Sequence, residues 1–197
     1  MFIYDDLLPV GAIIGIIAGV AVLLIVLIIV IWYISTMNKI RRLGVKVDEA
    51  ESGIDVALTK RFDLLTKEVA VVKGYAKHES ETLEKVIAMR QPSKGASMEE
   101  KSAFSGELNK AFDSINIVME KYPELKANQN FLMLQNQVFD VEEQLQAARR
   151  LYNSNVTNYN TTIITFPNSI VANNIHARKR DFFEAEESKR QDVKIEF

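Results

Sequence analysis

The 197-residue chain has no cysteine and is poor in several other residue types, with four prolines, two histidines and one tryptophan. Without cysteine it cannot form a disulfide framework or a cysteine-ligated zinc site, and cysteine chemistry is excluded. The glycines beyond the first forty residues stand singly, at Gly44, Gly53, Gly74, Gly95 and Gly106. Because a phosphate-binding loop needs clustered glycines, nucleotide hydrolysis is not expected.

The chain has no large excess of charge of either sign, since its net charge is only −2. Basic residues cluster after the apolar N-terminal stretch, at Lys39, Arg41, Arg42 and Lys46, and the remaining sequence leans acidic. A nucleic-acid-binding protein presents a basic face to the phosphate backbone. The charge distribution therefore predicts no nucleic-acid partner.

A charge-free stretch covers residues 7–38, and its core at 10–34 is almost wholly Ile, Val, Leu, Gly and Ala. A helix over 10–34 rises roughly 37 Å, enough to cross the ~30 Å hydrocarbon core of a bilayer. Asp5 and Asp6 precede the stretch, whereas a cleaved signal peptide begins with basic residues, so we expect a retained anchor. The cationic flank follows the span, which predicts an outer N-terminus and a cytoplasmic body.

Two features of the span suggest contacts in the membrane. Gly11, Gly15 and Gly19 repeat every four residues and share one helix face, which is typical of self-associating spans and would give a homo-oligomer. The alternative is that glycine is simply common in membrane helices. At the cytoplasmic end, the expected membrane-interface anchors are Trp32, Tyr33, Lys39, Arg41 and Arg42.

Apolar residues recur every three or four positions through the rest of the chain, which predicts amphipathic helices. The first helix is predicted over 47–90, where Gln91 and Pro92 break it. Ser97 and Glu100 have capping-box spacing and begin a second helix, which ends at Pro123. A third runs from near Asn128 to Pro167, and a weaker fourth covers about 169–187.

Amphipathic helices with short connections bury their apolar faces against antiparallel neighbours. We therefore predict an all-α protein in which an N-terminal transmembrane helix precedes an antiparallel four-helix bundle with two long and two shorter helices. The predicted segments are a short extracytoplasmic N-terminus (1–9), the transmembrane helix (10–34), a basic juxtamembrane segment (35–46), the cytoplasmic bundle (47–187) and a C-terminal tail (188–197).

An ordered series of short motifs resembles the LemA family and covers nearly the whole body. The motifs are Ile54-Asp55-Val56, Asp63-Leu64, Val72-Lys73-Gly74-Tyr75, Tyr122-Pro123-Glu124-Leu125, Asn130-Phe131-Leu132, Ala148-Arg149-Arg150, Tyr152-Asn153, Tyr159-Asn160 and Phe166-Pro167. The sequence departs from the family pattern after Asp63-Leu64, where Leu65-Thr66-Lys67-Glu68 stands in place of Ile-Pro-Asn-Leu. The resemblance implies an anchored helical bundle in the bacterial inner membrane, without established catalysis and often linked to envelope stress.

A stripe of tyrosine and asparagine residues is the main candidate for partner docking. Tyr152 and Asn153 recur one heptad later as Tyr159 and Asn160. In one interpretation the tyrosines are core residues and the asparagines fix helix register. In the other, the stripe is a docking groove for a partner.

The expected function is a non-enzymatic scaffold or adaptor in envelope organisation or stress, with the lipid bilayer and other membrane proteins as partners and no cofactor. The alternative is a protein that organises or remodels lipid through its basic collar and Arg178-Lys179-Arg180 with Phe182-Phe183. A metal-dependent enzyme using His78 with Glu79, Glu81 and Glu84 is a third hypothesis. It is disfavoured because one imidazole supplies too few ligands.

Overall fold

The protein is all-α in the part that the computed structural model describes, residues 10–76, 80–93 and 95–184. Six helices follow in chain order: α1 (Val10–Tyr75), α2 (Ser80–Ile87), α3 (Met98–Glu120), α4 (Pro123–Lys126), α5 (Gln129–Ile164) and α6 (Asn168–Asn174). The expected N-terminus at 1–9 and tail at 188–197 lie outside these residues. The predicted helical class is confirmed.

Helix α1 is one unbroken helix that includes both the apolar span and the first helix of the body. Its most apolar stretch has a mean hydropathy of 3.5, is long enough to cross a membrane, and is not buried in the body. Burial in the body begins with the half-buried Trp32 and Tyr33 and the fully buried Thr36 and Ile40. The basic segment 35–46 is therefore helical and already contributes side chains to the core.

The core of the body lies mainly between α1 and α5, which run antiparallel. Large apolar side chains such as Ile54, Leu65, Phe131 and Leu145 are fully buried there. Each such side chain contributes roughly 1.5–3 kcal/mol through its removal from water. Three polar pairs, one heptad apart on each helix, fix the register: Tyr75 with Asn128, Glu68 with Gln135, and Arg61 with Glu142.

Helix α3 packs on a face of α1 next to the one that contacts α5, and a buried lysine holds it there. Ser97 and Glu100 form the predicted capping box at its start. Lys101 is almost fully buried, and its Nζ lies 2.8 Å from Glu51 and 2.7 Å from Asp55 on α1. Burial alone would lower the pKa of Lys101, but the hydrogen bonds that it donates to the two carboxylates, together with their charge, outweigh burial and raise it. The lysine stays charged and ties the two helices together.

The chain turns at Pro167, forms the short helix α6, and returns along α5 as an extended segment. Helix α6 ends in a Schellman motif, in which Ala177 N–H donates to the carbonyl of Ala172 and His176 N–H donates to that of Asn173. His176 takes the left-handed conformation that this motif requires, with φ of 55°. Residues 177–184, which we name the strap, are not helical.

Two helix boundaries expected from the sequence are wrong. The helix predicted over 47–90 is interrupted, because α1 ends at Tyr75 and α2 begins at Ser80. The fourth helix predicted over 169–187 ends at Asn174, since the chain then adopts the left-handed turn at His176 and continues as the strap. The apolar residues Phe182 and Phe183 therefore belong to an extended segment rather than to a helix face.

Candidate functional site

The strap lies in a groove between three helices, and we name this groove the strap groove. Its residues are Asp48 of α1, Ser102 of α3, and Arg149, Tyr152, Asn153 and Asn160 of α5. Helical spacing explains how α5 contributes most of it. Positions 153 and 160 are one heptad apart, so they project from the same side of the helix. The groove thus contains three of the four residues of the predicted docking stripe.

Two asparagines hold the main chain of the strap by paired hydrogen bonds. Asn160 accepts from the N–H of Arg180 and donates to its carbonyl, both at 2.9 Å. Asn153 does the same with Phe183, at 2.9 Å and 3.0 Å. A carboxamide has one donor and one acceptor side, so it can satisfy both polar groups of one extended residue.

Other side chains of the groove also bond to main-chain carbonyls. The hydroxyl of Tyr152 donates to the carbonyl of Asp181 at 2.8 Å. Burial raises the pKa of Tyr152 to about 12, so its hydroxyl remains a donor at physiological pH. Ser102 Oγ and Arg149 Nη2 donate to the carbonyl of Glu184, at 2.6 Å and 3.4 Å.

Two side chains of the strap enter defined surroundings. Phe183 is only 3% exposed, and the guanidinium carbon of Arg149 lies 4.4 Å from the centre of its ring. Arg180 Nη2 lies 2.8 Å from Asp48 Oδ1, in a pair whose side chains are both well exposed. The aromatic contact is therefore the stronger anchor, because an exposed ion pair contributes little.

The fourth residue of the stripe, Tyr159, lies in the core beside α1. Its ring carbon is 3.8 Å from where a Cβ on Gly44 would stand. The glycines of the span, Gly11, Gly15 and Gly19, are exposed, and apart from their chain neighbours and the adjacent backbone of α1, no atom of the described chain lies within 4 Å of an added Cβ. Each of them is open to a neighbouring helix.

The predicted interface anchors are divided between the body and solvent. Trp32 and Tyr33 are half-buried against the body, and Asn174 of α6 donates a hydrogen bond to the Tyr33 hydroxyl. Lys39, Arg41 and Arg42 are exposed. The metal hypothesis falls on His78 and Glu79, which lie outside the described residues. Elsewhere, no three carboxylate or imidazole groups of the described chain are placed to bind one ion.

A buried polar cluster between α1 and α5 was not predicted as a site. Glu68 is fully buried, and its Oε1 accepts one hydrogen bond, at 2.9 Å, from Gln135. Within the described chain, its Oε2 has no hydrogen-bond partner. Burial raises the pKa of Glu68 to about 7. The signal in the sequence was a glutamate at a position of the α1 apolar repeat, with Leu65, Val69 and Val72.

Arg61, which lies two helical turns before Glu68 on α1, is also buried. Its Nη2 donates to Asn109 and pairs with Glu142, both at 2.8 Å, and its guanidinium lies 5.2 Å from the centre of the Phe112 ring. Burial lowers the pKa of Arg61, and the charge of Glu142 opposes that effect. Arg61 therefore joins α1, α3 and α5 at one point.

Comparison with known proteins identifies the group to which this chain is related. The sequence model of the LemA family matches residues 50–197. Protein LemA of Metamycoplasma hominis is 30% identical over 165 residues, which cover 82% of this chain and 74% of that protein. The chain belongs to the LemA family. The resemblance drawn from the short motifs is therefore confirmed.

The LemA match includes the whole strap groove except Asp48, and it includes the buried cluster. Several LemA-like motifs lie at structural transitions: Tyr122 and Pro123 begin α4, and Phe166 and Pro167 form the turn into α6. At the departure from the LemA pattern, α1 runs without a break through Leu65 and Glu68. The absence of a proline there is consistent with the unbroken helix.

Proposed function

We propose that this member of the LemA family is a membrane-anchored helical scaffold that acts through protein–protein contacts in the bacterial envelope, without catalysis. The observation that carries the proposal is an apolar surface on the far half of α5. Leu132, Met133 and Phe139 are 47%, 60% and 65% exposed. Leu132 and Phe139 are one heptad apart and share a side of α5 next to the buried face that carries Phe131 and Leu145, and Met133 lies farther round the helix. All three are exposed, so packing within the described chain does not require them.

Grouped exposed apolar side chains are typical of surfaces that bind other proteins. The unbroken α1 supports the same function, because it holds this surface at a fixed distance from the membrane. For residues 35–75, the rise is roughly 60 Å. The surface is thus presented to proteins that project well beyond the bilayer.

A photo-crosslinking residue at Phe139, in the intact protein in native membranes, tests the scaffold proposal. We expect reproducible capture of another membrane protein from position 139. The matched control is the same residue at Glu107, which is exposed on α3. Equal capture from both positions would refute a docking role for this surface, and capture of the chain itself alone would indicate an oligomer.

We also propose an orientation in the bacterial inner membrane, with the N-terminus outside and the body in the cytoplasm. Its support is the exposed cationic group Lys39, Arg41 and Arg42 directly after the span. When fused after Phe197, a reporter that works only in the cytoplasm is expected to be active, and a reporter that works only outside it is expected to be inactive. Activity on the outer side would reverse the assignment.

Lipid binding is a second candidate function, supported by the turn between α5 and α6. Ile164, Phe166 and Ile170 are 56%, 78% and 55% exposed there. The turn adjoins the end of the span, since α6 bonds to Tyr33. With the apolar part of α1 in a bilayer, these side chains would lie near the membrane interface, where aromatic and aliphatic groups insert.

The Cys-free chain allows a direct test of lipid contact. In lipid nanodiscs, Phe166→Cys is expected to react with a membrane-impermeant maleimide at least tenfold more slowly than in unfolded protein. Ile117→Cys, an exposed apolar position on α3, is the matched control and should react freely. Equal rates at the two positions in nanodiscs would exclude membrane contact at the turn.

A further inference from the structure

The strap groove recognises main-chain atoms more than side chains. Asn160 and Asn153 each satisfy both polar groups of one strap residue, and Tyr152 bonds to a carbonyl between them. Hydrogen bonds of this kind are available from any extended peptide, whatever its sequence. A segment that served only to complete the core would instead be held by apolar side chains, whereas Phe183 is the one buried residue of the strap.

Helix and strand geometry explain why the two asparagines fit an extended ligand. One heptad of α5 rises roughly 10.5 Å. Three residues of extended chain, the separation of Arg180 and Phe183, span roughly 10 Å. Carboxamides at heptad positions of a helix therefore meet every third residue of an extended segment that lies along it.

The side-chain contacts define the ligand more narrowly. Asp48 provides a negative charge for the residue held by Asn160, and the buried position held by Asn153 accepts an aromatic ring under Arg149. The intervening Asp181 and Phe182 are exposed, so these two positions are not selected. The groove fits a basic residue followed, three positions later, by an aromatic residue.

We propose that the strap groove binds an extended segment of a partner protein with this basic and aromatic pattern, and that the strap is the intramolecular competitor for the site. The proposal rests on the proposed scaffold function, for which it names the class of partner segment. A tethered competitor acts at a high effective concentration, so a partner binds well only when the strap is displaced.

The test measures binding of a fluorescein-labelled peptide, with the sequence of residues 177–184, to the full-length protein in nanodiscs by fluorescence anisotropy. Weakening the strap with Arg180→Ala and Phe183→Ala together should tighten peptide binding at least tenfold relative to the unmodified chain. Arg180→Ala alone changes only an exposed side chain and should give a smaller increase, which keeps the test informative if the double variant does not fold.

The asparagines provide the decisive control. Adding Asn153→Ala and Asn160→Ala to the strap variant should weaken peptide binding at least tenfold, while Asn158→Ala, on the exposed opposite side of α5, should not change it. A peptide N-methylated at the positions of Arg180 and Phe183 lacks both main-chain donors and should fail to bind. Alanine at the positions of Asp181 and Phe182 should change affinity less than threefold.

Absence of peptide binding to either strap variant, or equal binding with and without the asparagines, would overturn the proposal. So would exchange of straps between two differently tagged copies that depends on Asn153 and Asn160, because the second occupant would then be another copy of the chain. Crosslinking from position 139 uses a different surface. It can therefore succeed when the peptide fails, which separates this inference from the scaffold function.

Discussion

The side-chain amide of Gln135 donates a 2.9 Å hydrogen bond to the buried carboxyl group of Glu68 across the interface of α1 and α5. A carboxyl group in this position is stable mainly in its neutral form, because burial removes the water that would solvate its charge. Glu68 also stands where the family pattern has leucine. Glu68 therefore places a titratable group inside the contact between α1 and α5.

Replacing Glu68 is expected to remove a pH dependence of stability. The pKa is about 7 in the folded protein, above its value in the unfolded chain, so the folded state holds the proton more tightly. The contribution of Glu68 to the free energy of unfolding should be most favourable below about pH 4.5 and fall by roughly 3 kcal/mol as the pH rises through 7. Chemical denaturation in nanodiscs from pH 4.5 to 8 measures this fall.

Glu68→Gln is the matched control, since it keeps the shape and the contact with Gln135 but does not titrate. The contribution of the new side chain at position 68 to stability should be constant across the same pH range. Glu68→Leu should be more stable than the unmodified protein at pH 8, because Gln135 is only half-buried and can bond to water. A pH profile that is unchanged in both variants would show that another group titrates.

Arg61→Ala should destabilise the body by roughly 2–4 kcal/mol, since it leaves the carboxylate of Glu142 without its ion-pair partner and removes packing on Phe112. Replacing both members of the pair, by Arg61→Leu with Glu142→Leu, should restore most of that loss. Denaturation midpoints of the two variants give the comparison. A double variant as unstable as Arg61→Ala would mean that the ion pair itself is not the source of the loss.

His176→Gly should stabilise the body by roughly 1 kcal/mol. The residue occupies the left-handed position of the Schellman motif, where glycine has no steric penalty. His176→Val should have the opposite effect, because a β-branched side chain is strained at positive φ. Thermal unfolding followed by circular dichroism at 222 nm measures both changes, and equal effects of the two variants would contradict the motif.

Gly15→Leu is expected to reduce crosslinking between copies of the span without changing the fold of one copy. Apart from its chain neighbours and the adjacent backbone of α1, an added Cβ at Gly15 meets no atom of the described chain within 4 Å, so a neighbouring helix is what it would displace. Crosslinking in native membranes measures self-association. The control is Ala21→Leu, which adds three of the four carbons at an exposed position about 120° round the helix from Gly15 and should leave crosslinking unchanged.

The sequence allowed prediction of those parts of the fold that depend on local chemistry. Ser97 with Glu100 predicted the start of α3, and Asn128, which accepts hydrogen bonds from Asn130 and Phe131, predicted the start of α5. Both are caps whose donors and acceptors lie within four residues. The absence of charge in 7–38 likewise predicted the apolar part of α1.

The strap could not be predicted in the same way, because its contacts are made by main-chain atoms that every residue shares. Phe182 and Phe183 resembled part of a helix face, and only the positive φ of His176 directs the chain out of α6. The heptad repeat of Asn153 and Asn160 did indicate a special surface. Periodicity alone could not show that the ligand of that surface belongs to the same chain.

The continuity of α1 makes the span and the body a single lever. The helix contains no flexible linker between Val10 and Tyr75, so a change in the tilt of the span is transmitted to the far end of the body. With roughly 60 Å between the membrane and that end, a tilt of about 10° displaces it by about 10 Å. Membrane spans tilt to match bilayer thickness, so in a bilayer this geometry would convert a difference in thickness into a displacement of the exposed α5 surface.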